Sequence, residues 1–367
     1  MLNNKRLNKL IKILTDYGID GYLMGANFDL KFLTGINPFP DKRFKGLLIL
    51  KDGRKAFISP ELYYEDFRNT LGEDMNIYVW GDNEGINTTF TKLKEEYDLE
   101  GKTIAIDDSI RGIDLLDMID IIKANFINEK NISKELRIIK DKEGIKSLEK
   151  AASIADKTYE EVLKFIKPGV TERHISDKIK ELLLEFGGED LSFEPIVASG
   201  PNSSMPHYSG NDRVIGDQDL VILDFGCVYG GYCSDISRTV FIGQATDEQL
   251  EIYDIVLRAN KQAEDAAKEG IKAEDLDRIA RGVIEDAGYG KYFINRTGHG
   301  IGLEVHEEPY IKEGNKEVLK TGMAFSIEPG IYIPGRFGMR VEDIVLIDGD
   351  GSKILNKANK ELTIIKF

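Results

Sequence analysis

Residues 220–235 read LVILDFGCVYGGYCSD, an apolar run that ends in Asp224 and continues through a glycine-rich turn to Asp235. A short apolar run before a turn of this composition is typical of one arm of a β-hairpin. If the turn is centred on Tyr229 and Gly230, the hairpin places Asp224 directly opposite Asp235. The sequence therefore predicts a hairpin that brings two aspartates together.

A second acidic hairpin is predicted farther along the chain. The run AFSIE at 324–328 ends in Glu328, and after a turn centred on Gly335 the segment MRVE at 339–342 ends in Glu342, opposite the first glutamate. Directly opposed side chains lie about 4.5–5.5 Å apart, and like charges at that separation are destabilising. Each hairpin therefore places two like charges close enough to repel each other.

Two such carboxylate pairs favour a site for a metal cation. At about 4 Å and an effective dielectric constant near 20, each pair of like charges costs on the order of 4 kcal/mol. The alternative is four unrelated surface acids, which a chain with 64 aspartates and glutamates could supply. Each acid, however, ends or interrupts an apolar strand, so these positions should be buried and a cation explains them better.

The two hairpins belong to an internal duplication with an offset of 101 residues. A helical pattern follows Gly169 in the first half and Gly270 in the second half. The matched pairs are Gly169/Gly270, Val170/Ile271, Ile175/Leu276, Leu183/Ile284 and Gly187/Gly288. A period this long is not that of a solenoid. It predicts a duplicated α+β half-domain in which each half supplies two acids to a pseudo-twofold axis.

The composition limits the classes of protein. At 367 residues with 41% hydrophobic content, the chain can pack two domains or one large domain. The net charge of −15 disfavours a nucleic-acid or anionic-membrane surface. The N-terminal residues lack an apolar signal core, and no apolar run approaches transmembrane length. We therefore expect a soluble, cytoplasmic protein without nucleic-acid or membrane partners.

The first third of the chain alternates between strand and helix patterns. Strands are predicted at 21–24, 46–50, 55–58 and 103–107, and helices at 7–17, 61–71, 88–97 and 112–123. The polar stretch at 128–135 is typical of a linker. We therefore expect an α+β protein in which a smaller α/β domain at 1–127 precedes a larger domain at 128–367 that carries both hairpins.

The four histidines limit the candidates for imidazole chemistry. His299 lies in the stretch TGHGIG at 297–302, where glycines allow backbone and ligand to approach closely, although their spacing is not that of a dinucleotide fingerprint. His306 follows, and His207 lies in a loop-forming stretch, where polar residues often serve a site. Taken alone, His207 or His306 would be read as structural, and His174 is expected to be structural.

The order Asp224, Asp235, His299, Glu328, Glu342 is more specific than any single element. With it, the chain resembles the pita-bread metallopeptidases, the family of methionine aminopeptidase, aminopeptidase P, prolidase and creatinase. The matching motifs are LDFG (223–226), SDISRT (234–239), GHGIGLEVHE (298–307), SIEPG (326–330) and RVED (340–343). The resemblance covers the catalytic half and extends more weakly to the first 125 residues, which look like the creatinase-type N-terminal domain.

The resemblance implies a dinuclear metal site formed by these five residues. In such a site Asp224 would bind one metal ion, Asp235 and Glu342 would bridge both, and His299 and Glu328 would bind the second. Four carboxylates and one imidazole suit Mn²⁺ or Co²⁺, with Fe²⁺ and Zn²⁺ as alternatives. The formal charge of the four carboxylates would balance two divalent ions.

The resemblance also implies catalytic roles. Peptide hydrolysis would proceed by attack of a hydroxide shared by two metal ions, and Glu328 would take the proton from that water. His207 and His306 would stabilise the tetrahedral intermediate and orient the peptide. Arg340, two residues before Glu342 on the same strand face, would anchor a ligating carboxylate.

Within this family we expect an Xaa-Pro peptidase, a metallo-exopeptidase that cleaves between an N-terminal residue and a following proline. The N-terminal domain, which prolidases and aminopeptidases P usually carry and methionine aminopeptidases usually lack, favours this function, as does the segment at 196–208. The alternatives are a methionine aminopeptidase, a non-catalytic peptide-binding protein of the same fold and a metal-independent, creatinase-like hydrolase. The resemblance also implies a homodimer.

Overall fold

The structure is a computed structural model that describes residues 2–37, 39, 41–210 and 212–367. The chain divides into two compact units between Arg137 and Ile138. Within the described part of the chain, no helix has both the length and the apolar character needed to cross a membrane.

The first unit is an α/β domain built on one mixed sheet, as the sequence predicted. Its helices are α1 (Asn4–Asp16), α2 (Phe28–Thr34), α3 (Tyr64–Leu71), α4 (Asn87–Tyr97), α5 (Gly112–Ile122) and α6 (Lys130–Arg137), with a 3₁₀ turn at Glu61–Tyr63. Its strands are β1 (Gly21–Met24), β2 (Gly46–Leu50), β3 (Lys55–Pro60), β4 (Ile77–Trp80), β5 (Thr103–Ile106) and β6 (Asn125–Asn128), in the order β4-β3-β2-β1-β5-β6. Every residue of β1 and β2 is buried, so the core of this unit lies on both faces of the sheet.

The boundary between the units lies later than the predicted one after residue 127, and the predicted linker at 128–135 is largely helical. The helix α6 belongs to the first unit because its apolar side chains Ile132 and Leu136 are buried there and because it packs against α1. Ser133 also donates a hydrogen bond of 2.9 Å to the buried Asp29. The polar composition of the stretch masked this amphipathic helix.

The second unit contains the remaining elements. Its helices are α7 (Lys142–Val162), α8 (Glu172–Glu185), α9 (Asp247–Ala266) and α10 (Ala273–Asp286), with 3₁₀ turns at Leu163–Phe165, Gly200–Ser204 and Gly290–Tyr292. Its first strands are β7 (Asp190–Leu191), β8 (Ile196–Ser199), β9 (Leu220–Phe225), β10 (Cys227–Tyr229), β11 (Tyr232–Cys233) and β12 (Ile236–Ile242). Its later strands are β13 (Gly298–Gly300), β14 (Glu307–Ile311), β15 (Ala324–Ile327), β16 (Gly330–Ile333), β17 (Phe337–Arg340), β18 (Asp343–Asp348), β19 (Gly351–Ile354) and β20 (Thr363–Ile365). The two main sheets have the orders β20-β12-β9-β8 and β14-β13-β15-β18-β19.

The predicted duplication is present in the backbone of the second unit. The helices α8 and α10 begin and end at the same offset that the sequence showed. Before each helix lies a glycine in the left-handed region, Gly169 with φ of 90° and Gly270 with φ of 89°. Each half also packs its own hydrophobic core, one around α7 and α8 and the other around α9 and α10. The pita-bread type of fold, with one acidic hairpin in each half, is therefore confirmed.

The register of the first acidic hairpin differs from the prediction. Asp224 in β9 pairs with Ser237 in β12 rather than with Asp235. The turn is centred on Gly230 and Gly231, whose φ angles are 57° and 79°, instead of on Tyr229 and Gly230. A two-residue turn with positive φ at both positions favours glycine at both. The turn is therefore centred one residue later, and Asp235 lies diagonally from Asp224.

The second acidic hairpin has the predicted register. Ile327 pairs with Asp343 on one side and Gly330 pairs with Arg340 on the other, which brackets Glu328 and Glu342 as opposed residues. The two hairpins are joined by an isolated bridge between Ser237 and Glu342. This bridge brings the acids of both halves into one region of the second unit.

Candidate metal centre

A cavity of about 1260 Å³ in the second unit is lined by every residue that the sequence assigned to the site. These residues are Asp224, Asp235, His299, Glu328 and Glu342, together with His207, His306 and Arg340. The cavity wall also contains residues that sequence analysis missed, among them Arg296 and Tyr208. The duplicated halves thus enclose a single open pocket.

Strand ends position the acids of the pocket. Asp235 immediately precedes β12, Glu328 immediately follows β15, and Glu342 lies between β17 and β18. Asp224 lies one residue before the end of β9, and His299 is the central residue of β13. At such positions the side chains leave the apolar strands and face the cavity, while the strands fix their backbone.

Three of the side chains lie close enough to share one metal ion. Ligand atoms of Asp235, His299 and Glu342 are all within 4.8 Å of one another, and all three residues are buried. The Nε2 atom of His299 is 3.7 Å from Oδ2 of Asp235 and 3.2 Å from Oε1 of Glu328. Glu328 therefore adjoins the three-residue cluster through the same imidazole.

The environment of His299 fits a metal ligand. Its Nδ1 atom lies 3.1 Å from the carbonyl oxygen of Gly300, which can only accept a hydrogen bond. In the neutral imidazole Nδ1 then carries the proton, and the lone pair of Nε2 faces the carboxylates of Asp235 and Glu328. A cation between Nε2 and these carboxylates would offset the repulsion between the lone pair and the anions. This arrangement is the one that metal-binding histidines adopt.

Unsatisfied oxygens provide an independent test of the fit. Oδ1 of Asp224, Oδ1 of Asp235 and Oε1 of Glu342 are buried and accept no hydrogen bond from any described residue. Leaving a buried carboxylate oxygen without a partner is costly. Carboxylate oxygens together with one imidazole nitrogen are suitable donors for a divalent first-row metal ion. The residues present therefore fit such an ion.

The pKa values of these acids reflect the crowding of negative charge. Burial, followed by the repulsion of Glu342 and Asp224, raises the pKa of Asp235 well above its usual range. Burial, followed by Glu328 and Asp224, does the same to the pKa of Glu342. For Glu328, burial opposes ionisation, but the contact with His299 and the charge of Arg340 lower its pKa overall. A bound cation would favour the ionised form of every member of this group.

Arg340 is a cation that the chain itself supplies to the acids. Its Nη2 donates to Oδ2 of Asp224, and its Nε donates at 2.8 Å to Oγ of Ser237. Ser237 donates in turn at 2.8 Å to Oε2 of Glu342, so that Arg340 holds one acid directly and another through a hydroxyl. The Nη1 atom donates at 2.6 Å to the hydroxyl of the buried Tyr332.

The sequence indicated an anchoring role for Arg340, but it did not identify Ser237 and Tyr332 as its partners. The alternation of β12 contained a signal for Ser237, since a period of two places it on the same strand face as Asp235. The alternation did not indicate that Ser237 contacts Arg340, because that contact depends on tertiary packing. No comparable signal marked Tyr332.

Two of the other three histidines, His207 and His306, lie on the wall of the cavity. The ring of His306 packs edge-to-face against that of His299, with centroids 4.2 Å apart. Burial, together with the charges of His299 and Arg296, lowers the pKa of His306 to about 4. His207 is exposed in the loop that follows the 3₁₀ turn Gly200–Ser204. Neither histidine belongs to the three-residue metal cluster.

Comparison with known protein families identifies both units. Residues 146–349 match the model of metallopeptidase family M24, and residues 6–139 match that of the creatinase/prolidase N-terminal domain. The chain belongs to metallopeptidase family M24. The family model thus spans more than half of the chain, including all five predicted ligands and the three predicted catalytic residues outside that set.

Relatives in family M24 match the chain over almost its whole length. The chain is 39% identical to the Xaa-Pro dipeptidase of Pyrococcus furiosus, over 98% of this chain and 99% of that protein. Among solved structures, a prolidase from Thermococcus sibiricus has a TM-score of 0.94 and 40% identity, covering 99% of both chains. A dipeptidase from Pyrococcus horikoshii has a TM-score of 0.93 and 41% identity, covering 98% of this chain and 99% of that one.

Membership of family M24 makes the protein a metallopeptidase and implies divalent metal ions. The cluster of Asp235, His299 and Glu342 is where described side chains could hold such an ion. The predicted family, fold class and class of enzyme are therefore confirmed.

Proposed function

We propose that this protein is a metal-dependent Xaa-Pro peptidase, which hydrolyses the bond between an N-terminal residue and a following proline. Relatives named Xaa-Pro dipeptidase or prolidase, which match nearly the whole chain, support this substrate class. The observation that carries the hydrolytic part is a buried cluster of carboxylates and one imidazole, with unsatisfied oxygens, on the wall of an open cavity.

The proposed ligands are Asp224, Asp235, His299, Glu328 and Glu342, which together would hold two divalent cations. Four carboxylates surrounding one buried guanidinium carry an excess of negative charge that divalent ions would offset. An oxygen-rich donor set with one imidazole favours Mn²⁺ or Co²⁺. When bound, the ions supply activation of a water molecule and polarisation of the scissile carbonyl.

The remaining polar groups of the cavity supply proton transfer and orientation. Glu328 accepts the proton of the attacking water, because its carboxylate lies on the cavity wall beside His299 and is held by Ser326 Oγ at 3.3 Å. His207 and His306 donate hydrogen bonds to the oxygen on which negative charge develops. Arg340 keeps Asp224 in place through the hydrogen bond from Nη2 to Oδ2.

The chemistry of proline explains how the cavity would distinguish an Xaa-Pro peptide from an ordinary peptide. An Xaa-Pro bond is a tertiary amide that lacks an N–H group, so the cavity needs no acceptor for it. The apolar side chains of Phe193, Ile294 and Val305 line the same cavity and would surround the ring. An ordinary peptide would bury its N–H without a partner, at a cost of about 1–3 kcal/mol.

The primary experiment compares Ala-Pro with Ala-Ala in the metal-loaded protein. We expect kcat/KM to be at least about tenfold higher for Ala-Pro, which corresponds to about 1.4 kcal/mol. Chelation should abolish the turnover of both peptides. Equal rates on both, or faster release of methionine from Met-Ala peptides, would move the assignment to methionine aminopeptidase. Undiminished turnover by metal-free protein would overturn the metal mechanism.

A second experiment addresses the length of the substrate. Arg296 is a cation on the cavity wall, stacked at 4.6 Å over the ring of Tyr310, and could bind the carboxylate of a free dipeptide. Arg296→Met should then raise KM for Ala-Pro but leave KM for the Ala-Pro amide unchanged. An equal effect on both substrates would argue against a carboxylate site. Turnover of Ala-Pro-Ala as fast as that of Ala-Pro would favour an aminopeptidase P.

We also propose that the protein works as a homodimer, as the family resemblance implied. Sedimentation equilibrium of the metal-loaded protein measures the mass directly. The chain mass of 41.3 kDa makes a monomer and a dimer easy to distinguish.

A further inference from the structure

A buried carboxylate in the second unit holds both ends of the loop that carries His207. Glu172, the first residue of α8, is completely buried. Its Oε1 accepts hydrogen bonds from the backbone N–H of Ser199 and from the Ser199 hydroxyl, both at 2.7 Å. Its Oε2 accepts a hydrogen bond of 2.9 Å from the hydroxyl of Tyr208. One side chain therefore binds the loop where it leaves β8 and again where it passes the cavity.

The middle of the loop is bound to the same carboxylate. The side-chain amide of Asn202 lies 3.1 and 3.2 Å from the two oxygens of Glu172 and donates at 2.9 Å to the Tyr208 hydroxyl. Glu172, Asn202 and Tyr208 thus form a closed hydrogen-bonded triangle, which we call the loop clamp. Hydrogen bonds to an ionised carboxylate are stronger than those between neutral groups.

The loop clamp bears directly on the cavity because His207 is adjacent to Tyr208 in the chain. His207 is exposed, and its placement therefore depends on how the backbone of the loop is held. Among the described residues, two hydrogen bonds join the loop to the second half of the unit, one of 2.8 Å from Gly338 N to Ser203 Oγ and one of 3.4 Å from Arg340 Nη1 to the Pro206 carbonyl. Neither of them involves His207 or a later residue of the loop. Within the loop, the backbone N–H of Tyr208 also donates at 3.2 Å to the carbonyl of Met205.

We propose that Glu172 and Tyr208 are positioning residues, which hold the exposed His207 at the cavity by clamping the loop at 199–208 to the start of α8. Glu172 does not line the cavity, so it acts through the loop rather than on the substrate. The catalytic consequence rests on the proposed peptidase function. The structural consequence, a fixed position of His207, does not depend on it.

The first test is a double-mutant cycle in kcat/KM on Ala-Pro. Glu172→Gln and Tyr208→Phe remove the charge and the hydroxyl of the clamp while preserving side-chain size. Each should lower kcat/KM by about 10–100-fold, the range expected when a catalytic group is misplaced by about 1 Å. In a His207→Ala background, both substitutions should have almost no further effect. Metal content should stay at the wild-type level in all variants.

A matched control separates positioning from general loosening. Tyr159 in α7 is buried and its hydroxyl contacts Thr363 at 3.4 Å, away from the loop. Tyr159→Phe should leave kcat/KM unchanged in both the wild-type and the His207→Ala backgrounds. If the fold-losses in kcat/KM caused by a clamp substitution and by His207→Ala multiply in the double variant, the two residues act independently. That result would overturn the proposal.

The second test needs no enzymatic activity. The chain has four histidines, so the imidazole resonances of ¹³C-histidine-labelled protein can be assigned by substitution. Tyr208→Phe and Glu172→Gln should shift or broaden the His207 resonance. His174 lies two residues after Glu172 on α8 and serves as an internal control in Tyr208→Phe, where a shift of its resonance would indicate that the helix itself is disturbed.

The outcomes of the two tests distinguish the clamp from the proposed function. A His207 resonance that stays unchanged in both variants would overturn the proposal, whatever the kinetics. If the wild-type protein fails to hydrolyse Ala-Pro while the His207 resonance responds as expected, the clamp stands and the Xaa-Pro assignment falls. If Glu172→Gln does not fold, Tyr208→Phe alone decides, because it leaves the buried carboxylate and its contacts with Ser199 in place.

Discussion

The second unit contains two buried acidic regions whose charges are arranged in opposite ways. In the proposed metal centre, the carboxylates of Asp224, Asp235, Glu328 and Glu342 lie around the buried guanidinium of Arg340. In what we call the ion-pair network, the carboxylates of Asp343 and Glu264 are matched by the cations of Arg238 and Lys360. The first region has an excess of negative charge, and the second is balanced by its own side chains.

The contrast is sharpest between two adjacent residues. Asp343 accepts hydrogen bonds from Arg238 at 2.6 Å and from Lys360 at 2.8 Å, whereas Oε1 of its neighbour Glu342 accepts none from the described residues. Burial opposes the ionisation of both, but Arg238 and Lys360 lower the pKa of Asp343 while that of Glu342 is raised well above its usual range. Burial alone therefore does not mark a metal ligand. A buried oxygen without a partner does not mark one either, since Oε1 of Glu264 in the ion-pair network also lacks a hydrogen bond from the described part of the chain. The proposed metal site differs in that its carboxylates outnumber the cations that contact them.

The largest effect is expected from a substitution in the region with excess negative charge. Asp235→Asn should reduce peptide turnover to the level of the chelated protein and remove bound metal together with it, because a neutral amide is a poor ligand for a cation shared by several carboxylates. The free energy of unfolding of the metal-free variant should not fall, since one of the crowded charges is gone. The measurements are metal content, turnover and urea denaturation. Metal bound at the wild-type stoichiometry would contradict the assignment of Asp235.

The next largest effect is expected from a substitution in the ion-pair network. Lys360→Met removes the ammonium that contacts Glu264 and Asp343 and leaves two buried carboxylates with one cation. We expect a loss of about 3–5 kcal/mol in the free energy of unfolding, measured by urea denaturation.

The neighbouring exposed pair between Lys261 and Glu361 provides a matched control for Lys360→Met. Lys261→Met should cost about 1 kcal/mol or less, because an exposed ion pair contributes little. Equal losses for the two lysines would contradict the distinction between the regions.

Much of the fold could be predicted because its signals are local and repeated. The glycines and apolar positions at a constant offset predicted α8 and α10, since helix caps and stripes depend on nearby residues. The register of the first hairpin was wrong because Tyr229, Gly230 and Gly231 allow two turn centres, and only backbone geometry distinguishes them. The boundary was predicted near residue 128, earlier than in the structure, because α6 is polar in composition. Only its tertiary packing shows that this helix belongs to the first unit.

The residues of the candidate site fall into two groups, those that local sequence motifs identify and those that only tertiary contacts identify. The five proposed ligands and the two histidines of the cavity were identified from family motifs, which carry them in a fixed order, and the structure places all of them on one cavity. Their supports could not be predicted, since each depends on a contact between distant parts of the chain. Arg340 reaches Asp224 across 116 positions, and Ser237 reaches Glu342 across 105. The buried Glu172 and its partner Tyr208 lie 36 positions apart, and nothing in the sequence indicated their contact.

A smaller effect uses pH to sharpen the description of the ion-pair network. Burial, followed by repulsion from Asp343, raises the pKa of Glu264 to about 7. A carboxyl group whose pKa is raised by folding binds more protons in the native state, so its contribution is fully present below the unfolded pKa and is lost as pH rises towards 7. The stability of the wild type relative to Glu264→Gln should therefore fall by about 3 kcal/mol between about pH 4.5 and pH 8. A difference that is constant with pH would contradict a raised pKa.

The smallest expected effect asks whether the two regions act independently. A ligand that binds only the native state stabilises it, and metal at about 100 times its dissociation constant should add about 2.7 kcal/mol to the free energy of unfolding. Lys360 contacts no proposed ligand, although Arg238, its neighbour in the network, donates a hydrogen bond to the backbone carbonyl of Glu342. We expect Lys360→Met to keep this increment within about 0.5 kcal/mol, as for independent sites, and Asp235→Asn to lose it. Denaturation of each variant with and without Mn²⁺ measures the increment directly. A clearly smaller increment in Lys360→Met would mean that the balanced network also positions Glu342 for metal, and the two regions would then have to be treated as one.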